Sequence, residues 1–252
     1  MAYREQAAET IGEEEWALRR QLADFYHLVA FMGWTELVFN HISLRLPGTD
    51  EYLVNPFGLH YTEITPANLI VVGTDGKLRR PSPHPANPAG FALHGAVHDA
   101  RHDINCIAHT HGTQVLAVAG KKDGFSHNNF YGAQLIDRIG YHDFEGITLY
   151  EGERERMVAS LGDRNILVLR NHGVAVCERD VPTTFMLLWT VHRAADTQCQ
   201  ADSMKAEDIV LSEAIRESCR TDAARLNASA SYAQFAFDGQ VRVMRRTMPV
   251  DW

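Results

Sequence analysis

The chain has 252 residues, with 24 Lys and Arg against 32 Asp and Glu, a formal net charge of -8. That balance argues against nucleic acid or an anionic membrane as the main partner. Hydrophobic residues make up 45%, enough for a sizeable core, yet no run of about 20 apolar residues is present to span a bilayer. The start, Met1-Ala2-Tyr3-Arg4-Glu5, is polar rather than signal-like. Cys106, Cys177, Cys199 and Cys219 show no CxxC spacing, which fits a reduced cytoplasm.

Residues 13–32 are the first predicted helix. Leu18, Leu22, Phe25, Val29 and Met32 recur at three- and four-residue spacing, acids open it, and Gly33 ends it. Strand signals follow at 41–46, 51–54 and 69–72, separated by Pro-Gly, Pro-Phe-Gly and Asp-Gly turns. A proline-crowded loop, 83–88, leads to a helix over 89–100. Apolar runs at 104–108, 166–169 and 174–177 read as strands, and Tyr141-His142 and Glu145-Gly146 as structural turn residues. Long helices over 181–204 and 207–232 close the core.

Strands flanked by helices, with no linker or repeat, predict an α/β fold. The expected form is a single-domain three-layer α/β/α sandwich over 1–252 with a mainly antiparallel central sheet. Within it, 206–252 is the C-terminal helix and tail. Phe237, Val241, Val243, Met244 and Trp252 make that tail too apolar to float, so it should dock on its own core or on a neighbouring subunit.

Two histidine strings stand out, Ala108-His109-Thr110-His111-Gly112 and Arg170-Asn171-His172-Gly173. Each closes a strand signal. Side chains two apart on a strand share a face, so His109 and His111 project together while Thr110 turns away. A third imidazole from another strand end would give three protein ligands and an open position, the arrangement of a catalytic metal site. A His-x-His pair alone is weak evidence in a chain with 13 histidines. His94 and His98, four apart on one predicted helix, could also face a metal. A buried hydrogen-bonded role suits His94 better, because Leu93 and Val97 mark an apolar face.

The wider sequence resembles the class II aldolase/adducin family from about Trp16 to Asp202. The strings that carry the resemblance begin with Asn40-His41-Ile42-Ser43, Val54-Asn55-Pro56-Phe57-Gly58-Leu59 and Gly90-Phe91-Ala92-Leu93-His94. They continue with Cys106-Ile107-Ala108-His109-Thr110-His111, Tyr141-His142-Asp143-Phe144-Glu145-Gly146 and Leu169-Arg170-Asn171-His172-Gly173. The resemblance implies that His109, His111 and His172 hold a divalent metal, with zinc first and Fe(II) or Mn as alternatives. In such enzymes the metal stabilises an enediolate during C–C bond cleavage. The resemblance also implies a homo-oligomer, most simply a tetramer, acting on a small molecule.

One departure matters as much as the match. The sugar-phosphate enzymes of the family carry Glu or Asp where this chain has Gly90, and serines where it has Pro88 and Ala89. Classical acid/base chemistry and part of a phosphate cradle are therefore missing. Asn40, Asn55, Gly58 and Gly90 are the expected substrate-binding positions, although asparagine near a turn often only caps backbone. Tyr131 is the candidate catalytic phenol, or else a packing tyrosine.

Three functional readings follow. The first is a metal-dependent lyase, aldolase or decarboxylase, acting on a small unphosphorylated hydroxy- or oxo-carbonyl compound. The second is a non-haem Fe(II) oxygenase acting on an aryl oxo-acid. The third is a non-enzymatic adducin-like module.

Overall fold

The computed structural model describes residues 11–146 and 152–252, apart from the side chains of Pro88, Ala89 and Ala230. The strands are β1 (His41–Arg45), β2 (Glu51–Val54), β3 (Ile70–Gly73), β4 (Cys106–Thr110), β5 (Ile139–His142), β6 (Ile166–Leu169) and β7 (Gly173–Glu178). They form one sheet in the order β3-β2-β1-β4-β7-β6-β5. Only the β5–β6 pair is parallel. The sheet is mainly antiparallel, as the strand signals imply.

Alternation along the strands divides the core. Ile42, Leu44, Cys106, Ala108, Val174 and Val176 point to one face, where they meet helices α1 (Glu13–Phe31) and α5 (Val181–Ser203). Ile107, Leu167, Leu169, Ala175 and Cys177 point to the other, where α2 (Pro88–Ala100) and α4 (Glu153–Leu161) cover them. The result is the three-layer α/β arrangement. Because β4 is buried on both faces, His109 is held between packed layers and not on a free edge. Among the described residues no helix is long and apolar enough to cross a membrane, and all four cysteines are free.

Several local expectations need correction. The helix expected over 207–232 is interrupted. α6 starts only at Glu213, where the Ser212 side chain accepts from the Ile215 amide, and it ends at Ala228. Ser229 is extended, and α7 runs over Ala230–Thr247. Serine favours such boundaries because its hydroxyl competes for backbone groups. The apolar tail is therefore largely α7. It docks on this chain's own core through Phe237, Val241 and Met244, and Arg245 clasps Asp24 with two 2.8 Å contacts.

Tyr141 and His142 are not turn residues but part of β5, a strand too short and too polar to register as a pattern. Helices α3 (Thr113–Ala119) and α4 also lie where no helix was expected.

Candidate metal site

The site lies at the end of the sheet, on the face that carries α2. His109 is the penultimate residue of β4, and His111 follows the strand. Their Nε2 atoms approach to 2.8 Å. Thr110 points to the opposite face, where its hydroxyl lies 3.1 Å from His192 Nε2. The alternation expected from the sequence holds. His172 sits in the turn between β6 and β7, with its ring centroid 5.0 Å from that of His109 and 4.8 Å from that of His111.

Glycine makes this convergence possible. A Cβ on Gly173 would lie 2.6 Å from the Thr110 carbonyl oxygen and 2.9 Å from His111 Cδ2, at a φ of +156°. Real side chains do not tolerate such contacts, so any other residue would push the His172 turn away from the pair.

The ligating atoms of His109, His111 and His172 all lie within 4.8 Å of one another, and the electrostatics suit a cation. His109 Nδ1 lies 3.0 Å from the Val174 carbonyl oxygen. A carbonyl can only accept, so Nδ1 carries the proton and Nε2 keeps its lone pair. Burial lowers the pKa of His109 well below the ordinary value, with the neighbouring histidines adding to it. Burial also lowers His111, and it brings His172 to about 4, helped by His111. All three rings are neutral at pH 7, the form that binds metal. The donor set therefore fits a divalent ion that accepts imidazole.

The triad opens into a cavity of about 550 Å³. Phe39, Phe57, Leu93, Leu116 and Phe144 give it apolar walls, and Asn40, His41, Asn171 and Glu36 give it polar ones. Among the described residues lining it there is no lysine or arginine. A phosphoryl group would find no cationic partner there except a metal.

The other expected site residues scatter. Asn40 lines the cavity, is 2% exposed, and has no hydrogen-bond partner for either side-chain amide atom. Asn55 does not line it; its Oδ1 accepts from the buried Tyr26 hydroxyl at 2.8 Å. Gly58 lies in open space, and its φ of +95° is reason enough for glycine. Gly90 lies under the His41 ring. Pro88 and Ala89, whose lack of hydroxyls entered the phosphate argument, have side chains outside the described residues. Tyr131 is away from the cavity, edge-on to Trp189 with the Arg193 guanidinium over its ring.

Sequence reasoning assigned no role to His41, although it faces the cavity and stacks on His109 at 5.1 Å. The signal was available: His41 and Ser43 share one strand face, and His94 and His98 share one helix face. A further group, buried His142 and Glu153 with exposed Glu145, also gathers ligand-type atoms. There Glu145 is already tied to Arg156.

Comparison with known proteins identifies the family. The profile of the Class II Aldolase and Adducin N-terminal domain matches residues 20–199. The chain belongs to the class II aldolase/adducin family. It is 41% identical over 197 residues to a Pseudomonas aeruginosa protein named "Putative aldolase class 2 protein", covering 78% of this chain and 76% of that one. It is 36% identical to mouse alpha-adducin over 72% of this chain but only 25% of the adducin. Among solved structures, an aldolase II superfamily protein from Pseudomonas syringae superposes with a TM-score of 0.90 at 33% identity, over 95% of this chain and 96% of that one. The fold is shared with L-fuculose 1-phosphate aldolase from Glaciozyma antarctica, at a TM-score of 0.80 and 21% identity over 93% and 90% of the two chains. A family that spans names of both kinds leaves the reaction to be argued from the cavity.

Proposed function

We propose that this class II aldolase/adducin family member is a metal-dependent carbon–carbon lyase acting on a small unphosphorylated hydroxy- or oxo-carbonyl compound. One observation carries the reading: three neutral imidazoles converge on a cavity with several apolar and aromatic walls and, among its described lining residues, no lysine or arginine. A divalent ion held by His109, His111 and His172, with zinc first, would supply Lewis-acid polarisation of a bound carbonyl. The chain's own residues do the rest. Val174 fixes the His109 tautomer. Asn40 offers unpaired amide atoms. Gly90 supplies no acid or base, a lack that decarboxylation of a 3-oxo acid tolerates better than aldol chemistry.

The aromatic lining, Phe39, Phe57 and Phe144, favours one second reading, Fe(II)-dependent oxygenation of an aryl oxo-acid. Imidazole accepts either metal. Exposed apolar side chains such as Phe130 and Phe235, each 74% exposed, support assembly into a homo-oligomer, with a tetramer as the expected form. The free thiols support a reducing, cytoplasmic setting.

Elemental analysis of protein purified without added metal should show about one divalent ion per chain. His109→Ala with His111→Ala should remove it while the fold persists. The metal-loaded protein should turn over hydroxy or oxo acids and leave sugar phosphates untouched, with oxygen uptake marking the oxygenase. Unchanged metal content in the double variant would sink the site. Sugar-phosphate turnover at about 1–10³ per second would sink the substrate class.

A further inference from the structure

Beside the triad, β1 presents a second and different histidine arrangement. His41 pairs in register with His109 across β1 and β4. Its Nδ1 turns inward to His94 Nε2 at 2.7 Å. His94 Nδ1 meets Ser43 Oγ at 2.5 Å, and the same oxygen lies 2.8 Å from His98 Nε2. Ser43, His94 and His98 are fully buried, and His41 is 5% exposed.

This file of groups is directional. The Ser43 hydroxyl has one proton, so it donates to one imidazole and accepts from the other. The tautomers of His41, His94 and His98 are thereby linked. His41 then faces the cavity with a single nitrogen, Nε2, whose role is set from behind.

The helix beneath leaves room for this ring and for little else. A Cβ on Gly90 would lie 3.1 Å from His41 Cδ2 and 3.3 Å from its Cγ. Next to His41, Asn40 sits at a φ of +69°, with a buried amide that no protein group satisfies. Asparagine adopts that backbone readily, but an unpaired buried amide calls for a partner that the protein does not supply.

Building on the metal-dependent reading above, we propose that His41 is a substrate-binding residue. It acts as a neutral imidazole that hydrogen-bonds, beside Asn40, an oxygen of a metal-chelating ligand whose remaining body is uncharged and apolar or aromatic. His94, Ser43 and His98 are positioning residues that fix the His41 tautomer. Phe57, Leu93 and Phe144 receive the apolar body, and among the described lining residues there is no lysine or arginine to hold a charged one.

The test uses the full chain loaded with Co(II), whose visible spectrum reports ligands at the metal, and two hydroxamate probes. Acetohydroxamate offers the chelating oxygens alone, and benzohydroxamate adds an aromatic body. Wild type should bind benzohydroxamate about tenfold more tightly, roughly one factor of ten per 1.4 kcal/mol. His41→Phe keeps a flat ring over Gly90 but removes the nitrogens. It should weaken both probes about tenfold with cobalt content unchanged. His41→Gln should recover part of that loss, and it serves if the Phe variant fails to fold. Ser43→Ala should weaken binding less, by about threefold, with His41 still in place. A merely structural role would lower the melting temperature without moving either Kd.

An independent readout needs no metal. Gly90→Ala should lower the melting temperature in wild type and much less beside His41→Ala, because the contact is then gone. Normal cobalt uptake with unchanged Kd in both His41 variants overturns the proposal and leaves the metal site standing. No cobalt uptake by wild type overturns the metal site itself, and this inference with it. Equal binding of the two probes removes the aromatic body from the ligand class.

Discussion

Two sets of histidines share one face of the sheet and differ in what answers their nitrogens. His109, His111 and His172 turn theirs toward one another across the cavity, where an arriving ion could satisfy all three. His41 Nδ1, both nitrogens of His94 and His98 Nε2 are answered within the protein, by Ser43 and by each other. Residue type is the same in both sets, so it does not decide the role. The partner decides it: convergence of like donors makes a place for an ion, and interposing one hydroxyl makes a file that can orient His41 at the cavity.

Acid should stress this contrast most. Burial lowers the pKa of His98 to about 3, helped by Arg45, and burial alone brings His192 to about 3, against an ordinary 6.5. The unfolded chain therefore binds more protons between those values. Stability is intact above about pH 6.5 and falls as pH drops toward 3. Urea midpoints of the metal-free protein should decline steadily from pH 7 to pH 4, and a flat profile would mean these rings are solvated.

The hydroxyl comes next. Ser43→Ala strips a partner from two buried ring nitrogens, each costing about 1–3 kcal/mol, while metal content should stay unchanged. A variant as stable as wild type would show that water replaces the hydroxyl and that the file is not closed.

A smaller effect should come from the metal itself. Zinc at 100 times its Kd should stabilise wild type by about 2.7 kcal/mol. The His109→Ala, His111→Ala protein should show no shift in melting temperature. A shift that survives in that variant would move the ion elsewhere, with the His142, Glu145 and Glu153 group as the first place to look.

What the sequence disclosed followed from local rules. Period-two alternation put His109 and His111 on one face, and helical spacing placed α1 and α5. What stayed hidden depends on pairing between distant segments. That His41 lies opposite His109 is a matter of β1–β4 register. That Asn55 serves Tyr26 instead of the cavity depends on how α1 crosses the sheet. The cavity walls come from segments as far apart as Phe39 and Phe144, which no window of sequence brings together. The break at Ser229 was local, but α6 and α7 both continue helical spacing and masked it.

One candidate ligand has an unusual foundation. His172 stands not on a strand but in the short connection from Leu169 to Gly173, with Asn171 held at a φ of +56°. Lengthening that connection by one residue would leave the β6–β7 pairing intact and carry the third imidazole out of reach. Scaffold and chemistry can thus part company in a single step. On that geometry a chain of this architecture could lose a bound metal without losing its shape.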